Sequence, residues 1–396
     1  RAQGGKTALA TASNQKLAED IAAHLGVFDE VHGSTDTANL KGKHKAAFLA
    51  SHFGDTPYAY MADSSADIPV WENAAKSITV DASPSLKNSV EAIAQDVEHI
   101  GAPAAPARHM LRALRPHQWL KNLLVFVPML AAHQMTADNA LTSLSAFVAF
   151  CLVASSVYVL NDLLDLAADR AHPRKKERPF ASGRLHIAHG TWLAPVLFLA
   201  GFLIALAAGK QMAAVVLLYF IVTTAYSLYL KRLLILDICT LAGLYTLRVI
   251  GGGAATGIPL SIWLLAFSIF FFFALATIKR QAELLNGVEE GKEKALGRGY
   301  HVNDLPTVAN MATASGYMSI MILSLYLNSL NVQELYASPS FLWGICLVLL
   351  YWFSRVLVVT NRGDMHDDPI VFALKDRVSH ACLLLILAFT VMGAFI

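Results

Sequence analysis

The stretch Asn161-Asp162-Leu-Leu-Asp165-Leu-Ala-Ala-Asp169-Arg170-Ala-His172-Pro173-Arg174-Lys175-Lys176-Glu177-Arg178-Pro179-Phe180-Ala-Ser-Gly183 follows directly on an uncharged run that ends near Leu160. If that run is a helix and continues, Asp162, Asp165 and Asp169 stand at i, i+3 and i+7, on one face within about two turns. Three carboxylates held together repel one another, a cost that a divalent cation between them removes. Mg²⁺ takes hard oxygen ligands, keeps several waters and is usually completed by substrate phosphates. The basic residues that follow, Lys175 and Arg178 among them, then suit diphosphate oxygens, and Arg178 is able to make bidentate contact. A solvated loop of mutually paired charges is the plainer alternative. Three Asp at helical spacing, followed at once by a basic cluster, form a more specific pattern than that. His172, alone beside a proline, reads as structural.

Outward from this loop the chain is apolar. Of 396 residues, 55% are hydrophobic and 15% charged, with a mean hydropathy of +0.48; soluble domains carry roughly 25% charged residues. Uncharged or nearly uncharged runs recur at about 122–135, 141–160, 191–209, 212–230, 233–250, 258–278, 307–329, 340–360 and 378–396. Most reach the roughly 20 residues a helix needs to cross about 30 Å of hydrocarbon. The first does so only if it begins near Gln118 and carries Lys121 at the interface. The expected fold of this part is therefore an all-α, multi-pass membrane protein of about nine helices.

Lysine and arginine occupy alternate connections. Arg112, Arg115 and Lys121 precede the first helix, and Arg170 to Arg184 fill the second connection. Lys231 and Arg232 lie in the fourth, Lys279, Arg280, Lys292, Lys294 and Arg298 in the sixth, and Arg362, Lys375 and Arg377 in the eighth; the odd-numbered connections hold only Lys210. The positive-inside rule then predicts a cytoplasmic (inner) membrane protein whose N-terminal region and Asp-rich loop face the cytoplasm. The net charge of +2 and the lack of a basic run interleaved with aromatics exclude a nucleic-acid binder. Cys151, Cys239, Cys346 and Cys382 lie far apart in apolar stretches, which suits buried thiols rather than disulfides or zinc. Oligomeric state is left open by these residues.

Further polar residues stand where apolar ones are expected. Lys279 and Glu283 are i, i+4 at the end of the sixth helix and share a face. With Arg280 they would hold a phosphate, unless they merely snorkel to the interface. Arg248 lies deep in the fifth run, about eleven residues after Asp237, on the same side but too far along for direct pairing. An intramembrane Arg normally faces a polar cavity or partner; the alternative is a helix that ends early and leaves it at the outer interface. Tyr245 and Tyr300 are candidate site residues or interfacial aromatics.

The pattern N-D-x-x-D-x-x-x-D after the second of nine helices resembles the UbiA-type prenyltransferase superfamily. Its longer form, through H-P-R-K-K-E-R-P-F-A-S-G, resembles the polyprenyl-phosphate phosphoribosyltransferase branch. Four further segments are similar to that branch: Arg115-Pro-His-Gln-Trp-Leu-Lys121-Asn122, Arg248-Val-Ile-Gly-Gly-Gly-Ala-Ala-Thr-Gly257, Lys279-Arg280-Gln-Ala-Glu283-Leu284 and Ala373-Leu-Lys-Asp376-Arg377-Val378. The resemblance covers about residues 108–396. It implies Mg²⁺ as cofactor, held by Asp162, Asp165 and Asp169, and transfer of 5-phosphoribose from phosphoribosyl pyrophosphate to a polyprenyl phosphate such as decaprenyl phosphate. Lys175 and Arg178 would act on the leaving group. Asn161, Arg115, Lys121, Arg248, Lys279, Arg280, Glu283 and Tyr300 would bind substrate, with the Lys279/Arg280/Glu283 set replacing the usual second Asp-rich motif. The runner-up is transfer of a prenyl group to an aromatic acceptor. A transporter, the non-enzyme alternative, would show internal repeats, and none stands out.

Residues 1–100 read as a small α/β (Rossmannoid) domain, with strand-like Thr7–Thr11 and Tyr58–Ala62 and a helical stretch from Lys16 to Leu25. Gly101-Ala-Pro-Ala-Ala-Pro-Ala107 reads as a linker. This domain resembles the latter part of a haloacid dehalogenase (HAD-like) phosphatase. Thr11 matches that family's phosphate-binding residue, Lys45 (with Lys43 as the alternative) its lysine, and Asp63 and Asp67 its metal-binding acidic motif. The Asp-x-Asp nucleophile motif is absent from this chain, so the resemblance implies a remnant or a part upstream of Arg1; no signal-peptide pattern is visible.

Overall fold

The computed structural model describes residues 5–101, 106–289, 298–365 and 368–396. Most of the expected linker, and Lys292 and Lys294, lie outside the described residues. Two compact units result, Arg1–Ala105 and Pro106–Ile396.

The first unit alternates strands and helices: β1 Ala8–Asn14, α1 Gln15–Leu25, β2 Glu30–Ser34, α2 Lys43–Phe53, β3 Ala59–Ala62, α3 Ile68–Trp71, β4 Lys76–Val80, α4 Pro84–Glu91 and β5 Val97–Ile100. All pairings are parallel, as short strands joined by helices require. They fall into two sheets, β1-β2 and β3-β4-β5. Trp71, Val70, Leu49 and Val90 are buried between helices and strands.

The second unit is helical: α5 Pro106–Ala113, α6 Val127–Ala131, α7 Ala137–Leu164, α8 Leu166–Ala171, α9 Ile187–Ala208, α10 Lys210–Leu228, α11 Leu236–Thr256, α12 Ile262–Glu289, α13 Leu305–Leu327, α14 Leu330–Leu335, α15 Trp343–Asn361, α16 Pro369–Lys375 and α17 Arg377–Phe395. Among the described residues eight helices are long and apolar enough to span a bilayer: α7, α9, α10, α11, α12, α13, α15 and α17. The protein is a multi-pass membrane protein.

The first of the nine expected helices takes a different form. Residues Pro116–Phe126 wind as a 3₁₀ helix, and α6 adds five α-helical residues. At a rise of about 2 Å per residue against about 1.5 Å, the pair has a contour of roughly 30 Å, so sixteen residues cover the length of twenty. Three residues per turn give this segment three distinct sides. Trp119, Asn122 and Val125 form the side turned to the bundle. The Trp119 indole N–H donates to Ser155 Oγ at 3.0 Å, Asn122 reaches Cys151 and Arg248, and the Val125 carbonyl abuts Gly252 of α11. Lys121 and Leu124 form a second side, and Leu120 and Leu123 are exposed.

Gly252 permits this close approach, because a Cβ there would collide with the Val125 carbonyl oxygen and carbon. Small residues let helix backbones meet in this way in membranes. Since the obstacle is backbone and cannot rotate aside, Gly252→Ala is expected to cost about 3 kcal/mol. It would be read as a lowered unfolding temperature in detergent; an unchanged temperature would refute the packing described.

Candidate active site

Successive spans alternate in direction, so the C-terminal ends of α7, α10, α12 and α15 share one side of the bundle with the N-terminal ends of α9, α11, α13 and α17. The clusters around Asp162, Asp368 and Asp237 lie at that side, and cross-links tie the connections together. Asn161 Nδ2 donates to Ser227 Oγ at 2.8 Å, Lys231 lies 3.9 Å from Asp165, and Arg298 Nη1 donates to Tyr226 Oη at 2.9 Å.

The Asp-rich loop departs from the expected geometry. The helix stops at Leu164, Asp165 caps it with φ −90° and ψ 12°, and a new short helix, α8, carries Asp169. The break swings Asp165 into solvent beside Lys231 and leaves Asp162 and Asp169 buried, each 2% exposed. These two converge on one cation. Arg178 Nη1 lies 3.2 Å from Asp162 Oδ1 and 2.6 Å from Asp169 Oδ2, and Arg115 Nη2 approaches Asp162 Oδ1 at 2.5 Å. Three carboxylates on a single helical face are therefore replaced by a pair bridged by a guanidinium. Arg115 takes a left-handed backbone conformation, φ 53°, which is costly for a residue with a Cβ and is typical of functional positions. Its guanidinium also lies over the Tyr158 ring, 5.0 Å from the centroid. Lys175 is exposed in the 3₁₀ turn that follows α8. His172 Nδ1 accepts from the backbone N–H groups of Arg174 and Lys175.

A second cluster centres on a residue that sequence reasoning missed. Asp368 Oδ2 lies 2.9 Å from Lys279 Nζ and 3.3 Å from Lys121 Nζ. Burial pushes its carboxyl up, but Lys279 and Lys121 outweigh that and hold it at about 2. Lys121 also lies over the Tyr245 ring, 5.8 Å from its centroid. These residues line a small chamber with Leu241, Ala276 and Ile370. Lys121, Leu275, Pro369 and Ile370 also line a larger apolar cavity of about 340 Å³, walled by Leu124, Phe271, Phe272, Trp352 and Leu383. Phe271 and Phe272 thus belong to a cavity wall. Asp368 lies 89 residues from Lys279 in the chain, and its one local signal is the cap it makes on α16, accepting from the Ile370 N–H.

Arg280 and Tyr300 are not brought to this chamber. Arg280 is wholly buried, paired with Asp237 at 2.5 Å and with Glu283. Tyr300 Oη donates to Asp237 at 2.6 Å and accepts from the Ile235 N–H at 3.0 Å. There it supports Ile235, which holds φ 63°, a strained value for a β-branched residue. This cluster fastens the start of α11 to the end of α12. Arg248 is likewise interior, 6% exposed and mid-helix, so α11 does not end early. It donates to Asn122 Oδ1 at 2.7 Å, Tyr219 Oη at 2.8 Å and the Leu244 carbonyl at 2.6 Å. Tyr219 and Asn122 are the polar partners that an intramembrane Arg requires.

In the first unit, Lys45 Nζ and Asp67 Oδ1 form a buried 2.7 Å pair that Tyr60 joins. Asp63 lines a polar cleft with Ser64, Ser65, Ser83, Ser85 and Ser89. Thr11, on β1, is bonded to Ser13.

Residues 122–375 match the UbiA prenyltransferase family. A decaprenyl-phosphate phosphoribosyltransferase of Mycolicibacterium smegmatis is 41% identical over 286 residues, covering 70% of this chain and 90% of that protein. The nodulation protein NoeC of Azorhizobium caulinodans is 38% identical over 285 residues, covering 72% and 92%. An uncharacterized protein of Sinorhizobium fredii, y4nM, is 37% identical over 382 residues, covering 96% and 74%. In fold, the chain is similar to a UbiA homolog from Archaeoglobus fulgidus solved with GPP and Mg²⁺; the TM-score is 0.54 at 14% identity, over 72% of this chain and 98% of that one. The chain belongs to the UbiA prenyltransferase family and is a membrane-bound transferase.

Proposed function

We propose that this chain transfers the 5-phosphoribosyl group of phosphoribosyl pyrophosphate to a polyprenyl phosphate, releasing pyrophosphate. The observation that carries this reading is the presence of two separate cationic sites with different surroundings. Arg115 and Arg178 stand with two buried carboxylates at a polar surface, which suits a charged, water-soluble donor. Lys121 and Lys279 stand in a chamber that shares its walls with an apolar cavity, which suits a phosphate carrying a hydrocarbon tail. The similarity to decaprenyl-phosphate phosphoribosyltransferases supports the same pairing of substrates.

The donor set fits Mg²⁺. Asp162 and Asp169 already point into one space occupied by a cation, the Arg178 guanidinium, and two carboxylates plus substrate phosphates are what this ion takes. When bound, Mg²⁺ would neutralise the departing diphosphate and orient it. Asp162 and Asp169 would hold it, with Asp165 at the loop's edge. Arg178, displaced from the carboxylates, and Lys175 would then meet the diphosphate oxygens. Arg115 would hold the donor from the opposite side. The bond from the anomeric carbon to the diphosphate oxygen breaks, and the bond to the lipid phosphate oxygen forms. That oxygen is already anionic, so no general base is required. The stabilisation is electrostatic. The charge alternation supports a cytoplasmic location for both sites.

The test is transfer of labelled ribose phosphate to decaprenyl phosphate by the detergent-purified chain, with and without Mg²⁺. Mg²⁺-dependent labelling of the lipid is expected. Lys279→Met removes one charge-assisted contact, about 1.5–3 kcal/mol, so it should raise KM for the lipid about 10–100-fold and leave KM for the donor unchanged. No labelling by folded protein, with transfer from a prenyl diphosphate to an aromatic acceptor instead, would establish the runner-up.

A further inference from the structure

The first unit holds a group of side chains that phosphoribosyl transfer does not use. Glu30 and His32 are two apart on β2 and so project to the same side of the strand. His52, in the last turn of α2, comes to meet them. The Nε2 atoms of both histidines are directed at one oxygen, Glu30 Oε2, at 2.9 Å for His52 and 3.5 Å for His32. One ligand atom from each of the three residues lies within 4.8 Å of the other two. The imidazole rings stand edge to face, 4.7 Å between centroids. Phe48 packs on both, stacked with His52 at 5.6 Å and tilted against His32 at 5.1 Å. The rings are thereby held close together by neighbours that offer no competing ligand.

We propose that Glu30, His32 and His52 form a binding site for a borderline divalent transition-metal ion, Zn²⁺ in the first instance, with at least one coordination position open. Zn²⁺ binds His nitrogen at about 2.0–2.1 Å and carboxylate oxygen at about 2.0–2.2 Å, and in a tetrahedral site these lengths set neighbouring ligand atoms about 3.3 Å apart. The two edges that meet at Glu30 Oε2, 2.9 and 3.5 Å, bracket that value. The ligand set, two imidazoles and one carboxylate, favours Zn²⁺ and its neighbours over Mg²⁺ or Ca²⁺, which want oxygen. It therefore differs in chemistry from the Asp162/Asp169 pair. Lys6 lies 3.9 Å from the other Glu30 oxygen, Oε1, but its side chain is 84% exposed, so this contact is a weak surface pair that leaves Oε2 free for a metal. The three side chains are partly exposed, which gives an ion a path from solvent.

The experiment is calorimetric titration of the full chain in detergent with Zn²⁺, after chelator treatment and in saturating Mg²⁺ to occupy oxygen-rich sites. One equivalent of Zn²⁺ is expected to bind, and His52→Ala and His32→Ala should each weaken it by at least about 100-fold, more than loss of an outer-shell partner does. His52 is a surface residue, so its replacement should leave the far-ultraviolet circular dichroism unchanged. Co²⁺ supplies a readout independent of folding: intense visible bands of a four-coordinate ion in the wild type, and none in the variants. Absence of a one-equivalent Zn²⁺ event, or binding and Co²⁺ bands that persist unchanged in both variants, would overturn the proposal.

Discussion

Asp162→Asn should lower the rate of the proposed phosphoribosyl transfer by about 10²–10³-fold, the loss expected when one preorganised charge is removed from a site that works electrostatically. Asp162 is 2% exposed and accepts from both Arg115 and Arg178. Asn keeps its shape, and its carbonyl still accepts from one of those guanidinium groups, so the bundle should fold. What disappears is a negative charge in the space where a divalent ion and a diphosphate would meet. The rate is read at saturating donor and lipid, with His172→Ala as the control. His172 only caps an exposed turn, so that variant should stay near the wild-type rate. An Asp162→Asn enzyme within threefold of wild type would remove the Asp-rich loop from the chemistry.

Asp237→Asn is expected to destabilise the protein by about 3 kcal/mol, because it leaves the buried Arg280 guanidinium with Glu283 as its remaining carboxylate partner. Both side chains have no exposure, and among the described residues Arg280 Nε has no hydrogen-bond partner. The double variant Asp237→Leu/Arg280→Met should recover much of that loss, since replacing a whole buried pair by apolar residues is often near neutral. It also separates two roles. If Arg280 only fastens α11 to α12, the double variant retains transfer; if Arg280 grips a substrate phosphate, stability returns and transfer does not. Unfolding temperature and initial rate on the same preparations decide between them.

Adjacent residues explain why the sequence told only part of this. Lys279 and Arg280 are neighbours on α12, about 100° apart around the helix, and composition does not say which one faces a cavity. That depends on Asp237, 43 residues away in the chain. The break at Asp165 was equally hidden, because no Gly or Pro marks it and the i, i+3, i+7 pattern argued for continuation. Asp368 was missed because its importance lies in two lysines from distant segments. The spans themselves were legible, since uncharged runs of about twenty residues have few alternatives. The first was misjudged in form because nothing local distinguishes 3₁₀ from α winding in Pro116–Phe126. In the first unit, parallel strands followed from their alternation with helices, while the division into two sheets did not.

The three-sided winding of Pro116–Phe126 limits how the segment can change in length. With three residues per turn, one residue inserted or deleted between Trp119 and Leu124 turns everything beyond it by about 120°. A deletion at Leu120 would carry Lys121 off the chamber, and no rotamer change would return it. Adding or removing three residues together restores the facing, but shifts it about 6 Å along the axis, away from Asp368 and Gly252. This stretch therefore tolerates exchange of one side chain for another far better than any change in the number of residues.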